Sequence, residues 1–201
     1  MKLLAFSDLH LARARAAELV TASAEADLVI GAGDFCNHRA DLDEAMHMLS
    51  GITAPIIAVP GNAESFDELT SAALPNMTVL HGTCTSQGDL TFFGLGYGVP
   101  VTPFGDWSCD LSNEEAAALL APCETADILV LHSPPKGVAD LTSLDMSVGS
   151  TAIRDAIERI QPKLALCGHI HDSWGVTGRI GATQVVNLGP RPNWFDITPE
   201  T

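Results

Sequence analysis

The chain alternates short apolar runs with longer amphipathic stretches. Five runs rich in Leu, Val and Ile are predicted to form buried strands, at residues 2–7, 27–32, 55–60, 127–132 and 163–168. Five Ala-rich stretches have a helical pattern, at residues 11–24, 40–50, 64–73, 112–120 and 150–160. This alternation predicts an α/β domain in which helices cover the faces of the strands.

Two regions depart from this alternation. Residues 78–105 contain short strand-like pieces with turn-forming glycines and no helical period, which predicts an antiparallel hairpin. Residues 179–190 are predicted to contain another, late strand. No repeat or linker divides the chain, so we expect a single domain over residues 1–201.

Composition narrows the class of protein. A hydrophobic fraction of 46% fits a compact globular chain, and no apolar run approaches the roughly 18 residues of a membrane span. The start "MKLLAFSDLH" becomes polar too early for a signal peptide, which predicts a cytoplasmic protein. The five cysteines are scattered without a CxxC pair, so reduced thiols are expected instead of disulfides or a zinc knuckle.

Charge excludes some partners. With 25 acidic and 10 basic residues, the formal net charge is −15, and a phosphate backbone would be repelled. We therefore expect neither long nucleic acid nor a membrane surface as a partner, and the sequence leaves the oligomeric state open. A small phosphate ester could bind if metal cations made one local patch positive.

Polar side chains follow each of the five predicted strands. Because open α/β sheets gather their ligand sites at the carboxyl ends of strands, these residues are predicted to share one site. Their oxygen and imidazole donors suit Mn, Fe, Zn or Ni and are poor for soft-metal thiolate chemistry. The candidate ligands are Asp8, His10, Asp34, Asn62, His132, His169 and His171.

Spacing suggests how paired ligands could face one site. In an extended segment residues i and i+2 point the same way, so His169 and His171 are predicted to face one site, as are Asp8 and His10. Asp34 is the natural bridging carboxylate, because two cations roughly 3.5–4 Å apart need a shared anionic ligand.

The motifs "SDLH", "GAGD", "PGNAE", "VLHSPP" and "CGHIH", in this order, resemble those of the calcineurin-like metallophosphoesterase superfamily, particularly its small prokaryotic members. The resemblance runs from Asp8 to His171. It implies two facing mixed β-sheets flanked by helices, an αββα four-layer sandwich, with a two-metal centre at the strand ends. By similarity, one metal takes Asp8, His10, Asp34 and His171, and the other takes Asp34, Asn62, His132 and His169.

The resemblance implies a metal-dependent phosphohydrolase. Two divalent ions, with Mn²⁺ expected and Fe, Zn or Ni as alternatives, would lower the pKa of water from about 15.7 towards 7. A bridging hydroxide would then attack phosphorus in line. Asn62 or His132, together with both metals, would stabilise the charge that develops.

One position departs from the family pattern. After the "GN" asparagine the family commonly has a histidine that protonates the leaving oxygen, whereas this chain has Ala63. General acid catalysis contributes about 10²–10⁴-fold, so its loss should affect alkyl phosphomonoesters most and aryl esters least. Phosphodiesters are therefore favoured over monoesters. His38 is a candidate replacement acid, the alternative being a solvated loop histidine.

Two other functions remain open. The chain could be a scaffold or regulatory protein that has lost turnover, which Ala63 favours and the complete ligand set opposes. A single-metal hydrolase is the other alternative, and the doubled His-x-His and Asp-x-His motifs count against it. The sequence does not name the substrate.

Overall fold

The computed structural model describes residues 1–197 and contains two β-sheets with five α-helices. The strands are β1 Lys2–Phe6, β2 Leu28–Gly31, β3 Ile56–Ala58, β4 Met77–Val79, β5 Thr83–Gln87, β6 Leu90–Leu95, β7 Ile128–Leu131, β8 Leu164–Cys167, β9 Thr177–Ile180, β10 Thr183–Asn187 and β11 Asn193–Asp196. The helices are α1 Arg13–Ser23, α2 Leu42–Leu49, α3 Phe66–Ala72, α4 Asn113–Leu120 and α5 Thr151–Ile160.

The two sheets are both mixed. One has five strands in the order β11-β1-β2-β3-β4, and the other has six in the order β5-β6-β7-β8-β10-β9. β1 to β4 run parallel, as do β6, β7, β8 and β10, whereas β11, β5 and β9 pair antiparallel at the edges. The carboxyl ends of the parallel strands therefore meet at one edge of each sheet.

Side chains that alternate between the two faces of each sheet form three apolar layers. In β1, Leu3 belongs to a cluster shared between the sheets, together with Ile128 of β7, whereas Leu4 packs on the other face with Leu19 of α1. The outer face of the six-stranded sheet packs separately against α4 and α5. Each sheet thus buries both faces, one against the other sheet and one against helices. The predicted αββα sandwich is confirmed.

The five predicted core strands and five predicted helices are all present, with ends that differ by at most two residues. The hairpin expected within 78–105 is confirmed for β5 and β6 only, because β4 pairs parallel with β3 in the other sheet. The late strand is β10, and it has an antiparallel partner, β9, that the sequence did not indicate. No helix within residues 1–197 is long and apolar enough to cross a bilayer.

Candidate metal centre

The seven candidate ligands lie just beyond the ends of five parallel strands. The five-stranded sheet supplies Asp8 and His10 after β1, Asp34 after β2 and Asn62 after β3. The six-stranded sheet supplies the other three ligands, His132 after β7 and the His169–His171 pair after β8. The structure therefore brings residues from both sheets to one place.

Four of these side chains form what we call the outer group: Asp8, His10, Asp34 and His171. One possible ligand atom of each lies within 4.8 Å of the others. The Nε2 atoms of His10 and His171 are 3.2 Å apart, and Asp34 Oδ2 lies 3.4 Å from His10 Nε2. Asp8 Oδ1 lies 3.7 Å from His171 Nε2. Two carboxylates and two imidazoles converging in this way are a suitable donor set for a divalent cation.

The inner group consists of Asp34, Asn62, His132 and His169. Possible ligand atoms of its two histidines and Asp34 also lie within 4.8 Å of one another. The amide oxygen of Asn62 is 3.1 Å from His132 Nε2 and 3.0 Å from His169 Nδ1. Asp34 Oδ1 faces His132 at 3.5 Å while its Oδ2 faces the outer group. Asp34 is therefore placed to be shared between two cations.

The backbone at the two ligand pairs is not extended, contrary to the prediction from side-chain alternation. β1 ends at Phe6 and β8 at Cys167, so neither ligand pair is in an extended segment. Asp8, His10 and His169 instead have positive φ angles of 52°, 46° and 68°, and His171 begins a short 3₁₀ turn. The explanation by i and i+2 is wrong, although the side chains do meet. Such left-handed residues cost about 1 kcal/mol or more and typically persist where a functional site fixes them.

The carboxylate of Asp8 is held by three donors. Oδ2 accepts hydrogen bonds from Ser7 Oγ and, at 2.9 Å, from the indole Nε1 of Trp174. Oδ1 accepts one from the backbone N–H of His169 at 3.0 Å. The Trp174 ring also lies 4.3 Å from the His171 ring, centroid to centroid. Trp174 therefore orients two outer-group ligands at once, as partners of metal ligands commonly do.

Glu64 is a functional residue that the sequence reasoning missed. It is fully buried and accepts backbone hydrogen bonds from Gly61 at 2.7 Å, Asp34 at 2.8 Å and Phe35 at 3.1 Å. It thereby joins the loops after β2 and β3. Burial, and then the charge of Asp34, raise the pKa of Glu64 to about 7. Its available signal was its place in "PGNAE", two residues after Asn62.

Protonation differs among the histidines of the site. Burial, followed by the charge of His132, lowers the pKa of His169 to about 3, and burial also lowers the pKa of His171. For His132 burial acts in the same downward sense, but the carboxylates of Asp34 and Asp8 outweigh it and raise the pKa. His169 and His171 are therefore neutral at pH 7, which is the form that binds metal ions.

A cleft of about 360 Å³ opens over both groups. His38 lines it but belongs to neither ligand group, and its exposed ring lies 4.3 Å from that of Trp107. Ala63 is buried, and its backbone N–H donates to Asp34 Oδ1 at 2.8 Å. The structure thus places His38 at the wall of the cleft, where its role as an acid stays a prediction.

Comparisons with known proteins find relatives in sequence and in fold. The human metallophosphoesterase domain-containing protein 1 is 37% identical over 97 residues, which are 45% of this chain and only 29% of that protein. Among solved structures, TT1561 of Thermus thermophilus matches with a TM-score of 0.75 at 20% identity, over 94% of this chain and 88% of that one. A dimetal phosphatase from Danio rerio matches with a TM-score of 0.64 at 14% identity, over the same shares. At these identities the two structures show a shared fold.

The broadest match is to a family model. The model described as the calcineurin-like phosphoesterase superfamily domain matches residues 1–200, which is almost the whole chain. Its extent agrees with the fold and with the two groups of candidate ligands at the strand ends. The chain therefore belongs to the calcineurin-like phosphoesterase superfamily.

Proposed function

We propose that the protein is a phosphodiesterase that works with two divalent metal ions, Mn²⁺ being the expected one. The observation that carries this proposal is the division of the seven side chains into two groups that share Asp34. The name of the Danio rerio neighbour, a dimetal phosphatase, is consistent with it. When bound, such ions supply Lewis acidity and an activated water for attack on phosphorus.

Two bound ions would reverse the local charge, because the ligands offset it only in part. Asp8 and Asp34 are the two carboxylates among the seven side chains, so they offset only two of the roughly four positive charges of two divalent ions. The cleft is then positive inside a protein whose net charge is −15. A small phosphate ester is therefore attracted to the cleft.

Asn62 and His132 have the positions to assist. The Asn62 amide is oriented by Ser108, whose Oγ accepts a hydrogen bond from Nδ2 at 3.0 Å. His132 is fixed by Nδ1, which lies 2.8 Å from the carbonyl oxygen of Ala32. We propose that both bind metal and stabilise the negative charge that develops on the phosphoryl oxygens.

His38 is proposed to protonate the leaving oxygen, because it lines the cleft and Ala63 has no proton to give. The leaving oxygen of an alkyl ester needs this proton, whereas an aryl group leaves as a stable phenolate without it. His38→Asn should therefore lower turnover of an alkyl ester by about 10²-fold and spare an aryl ester. Ala63→His should improve alkyl monoester turnover, with the free energy of unfolding measured alongside because residue 63 is buried.

The deciding experiment compares Asp34→Asn with the wild type after reconstitution with Mn²⁺. Turnover of bis(p-nitrophenyl) phosphate should fall by more than about 10²-fold, since removing even a partner of a metal ligand costs 10–100-fold. Asp106→Asn, on an exposed loop outside both ligand groups, is the matched control. A wild-type protein that binds two ions and hydrolyses neither diesters nor monoesters would instead support the scaffold or regulatory function.

Two further expectations belong to this proposal. The two sheets share one apolar cluster, which supports a single domain over residues 1–201. All five cysteines are free thiols in the structure, which fits a reducing compartment such as the cytoplasm. Limited proteolysis and thiol labelling of the protein taken directly from cells test these two points.

A further inference from the structure

A second cavity lies directly beside the metal cleft. It has a volume of about 520 Å³ and shares Phe104 and His169 with the cleft, so one of its ends lies at an inner-group ligand. Its walls include Val99 and Val101 on one side and Val148 on the other. We call it the alkyl groove. A group attached to a phosphate in the cleft could enter it without leaving the surface of the protein.

Several polar side chains of the groove already have partners within the protein. Lys136, the one formally charged lining residue in the part of the chain that the structure describes, donates from Nζ to the carbonyl oxygen of Ser147. Thr102 Oγ1 donates to Asp110, and Asn113 Oδ1 accepts from Ser150 at 2.7 Å. These three contacts occupy polar atoms that a polar ligand would otherwise use, and a ligand group left without a partner there would carry a cost.

Exposed apolar side chains concentrate beside the groove. Val101 and Phe104 lie on one bordering loop, and the loop 141–146 carries Leu141, Leu144 and Met146. These are five of the eight large apolar residues exposed within residues 1–197, and Leu144 is 75% accessible. In a chain with so many surface carboxylates, such a concentration marks a binding region.

We propose that the alkyl groove binds a hydrocarbon chain on the phosphodiester, so that the substrate is an alkyl phosphodiester. This inference rests on the proposed hydrolase function and names its substrate class. An alkyl chain fits better than an aryl group because the lining includes three valines, two prolines and Ile170, and its two rings, Phe104 and His169, both lie at the junction with the cleft. The hydrocarbon gains by leaving water, and the groove has no carboxylate to oppose the phosphate.

The test uses p-nitrophenyl alkyl phosphates that share one leaving group and differ in the alkyl chain, from methyl to octyl. With the Mn²⁺-loaded wild type, kcat/KM should rise by about two- to fourfold for each added methylene until the groove is full. Equal values from methyl to octyl would overturn the proposal, as would a clear preference for a phenyl group over hexyl.

Two substitutions test whether the dependence of kcat/KM on chain length arises in the alkyl groove. Val101→Asp places a charge in the groove wall, and the residue is exposed enough to accept one without loss of folding. It should lower the octyl-to-methyl ratio of kcat/KM by at least about tenfold. Val176→Asp, another exposed valine outside the groove, should keep the wild-type ratio. An unchanged ratio in Val101→Asp contradicts the assignment of the groove.

A binding measurement separates this inference from the proposed function. Turnover of the methyl ester without any chain-length effect would contradict the groove alone, whereas absent turnover of every ester would contradict the hydrolase. In the second case, calorimetry with methyl-, butyl- and octylphosphonate on the Mn²⁺-loaded protein still tests the groove. Affinity that increases with chain length in the wild type and not in Val101→Asp is the expected result, and a flat series overturns it.

Discussion

The inner and outer groups share Asp34 yet differ in their surroundings. In the inner group the His132 side chain is 0% exposed, while in the outer group the His171 side chain is 50% exposed. His132 is fixed by the carbonyl oxygen of Ala32, whereas the ring of His171 lies against the partly exposed Trp174. The difference indicates a preorganised inner site and a more adjustable outer one, so we expect the inner group to bind its ion more tightly and to release it more slowly.

The largest effect expected from this comparison comes from removing one histidine of each group. His132→Ala should abolish binding at the inner group and destabilise the metal-free protein by about 2 kcal/mol or more, because it empties a fully buried site. His171→Ala should leave one tightly bound ion and change the free energy of unfolding by less than about 1 kcal/mol. Metal titration calorimetry and urea unfolding measure both quantities. If both variants lost metal affinity equally, the inner group would not bind its ion more tightly than the outer group, and the prediction would be wrong.

A smaller effect should come from removing the hydrogen bond that the indole N–H of Trp174 donates to Asp8. Trp174→Phe keeps the ring beside His171 and removes only the donor, so affinity at the outer group should fall by about 10–100-fold while the inner group is unchanged. Trp194→Phe is the control, since Trp194 is similarly exposed, at 40% against 38%, and lies on β11. Competition titration with a chelating dye gives the two affinities separately, and a loss confined to the inner group would contradict this role of Trp174.

The smallest expected difference between the two groups is in how their metal affinities depend on pH. The pKa of His132 is raised in the metal-free protein, so below that pKa a proton must leave before the inner group can bind metal. Inner-group affinity should therefore decrease as pH falls, by up to about tenfold per unit. The pKa of His171 is lowered, mainly by burial, so this ligand takes up a proton only at lower pH than His132 does. Titrations at pH 8, 7 and 6 should show a steeper decline for the inner group, and an equal decline would refute the assignment.

The sequence predicted the elements that carry a strong local pattern. Each core strand is a run of apolar residues followed by a ligand, and that arrangement alone indicated where the side chains would meet. β11 was missed because its four residues, Asn193–Asp196, alternate in exposure and offer no apolar run. An edge strand of this kind is defined by its partner, here β1, more than by its own composition.

The details of the site were less predictable because they depend on contacts between distant parts of the chain. Trp174 reaches Asp8 across 166 positions, and Glu64 joins two loops 30 residues apart. The left-handed φ angles at Asp8 and His169 also could not be predicted locally, because aspartate and histidine adopt such angles more often than most residues but still in a small minority of positions. The alkyl groove is assembled from six separate stretches of the chain, between Val99 and Ile170, none of which is unusual alone.

The inner group has one more consequence, which concerns the lifetime of the protein. Asp34 and Asn62 come from one sheet and His132 and His169 from the other, so an ion held there joins the two sheets. The sheets cannot separate until that ion leaves, and an ion at 100 times its Kd adds about 2.7 kcal/mol to the free energy of unfolding. Metal starvation of a cell should therefore shorten the survival of this protein against proteases as well as silence it.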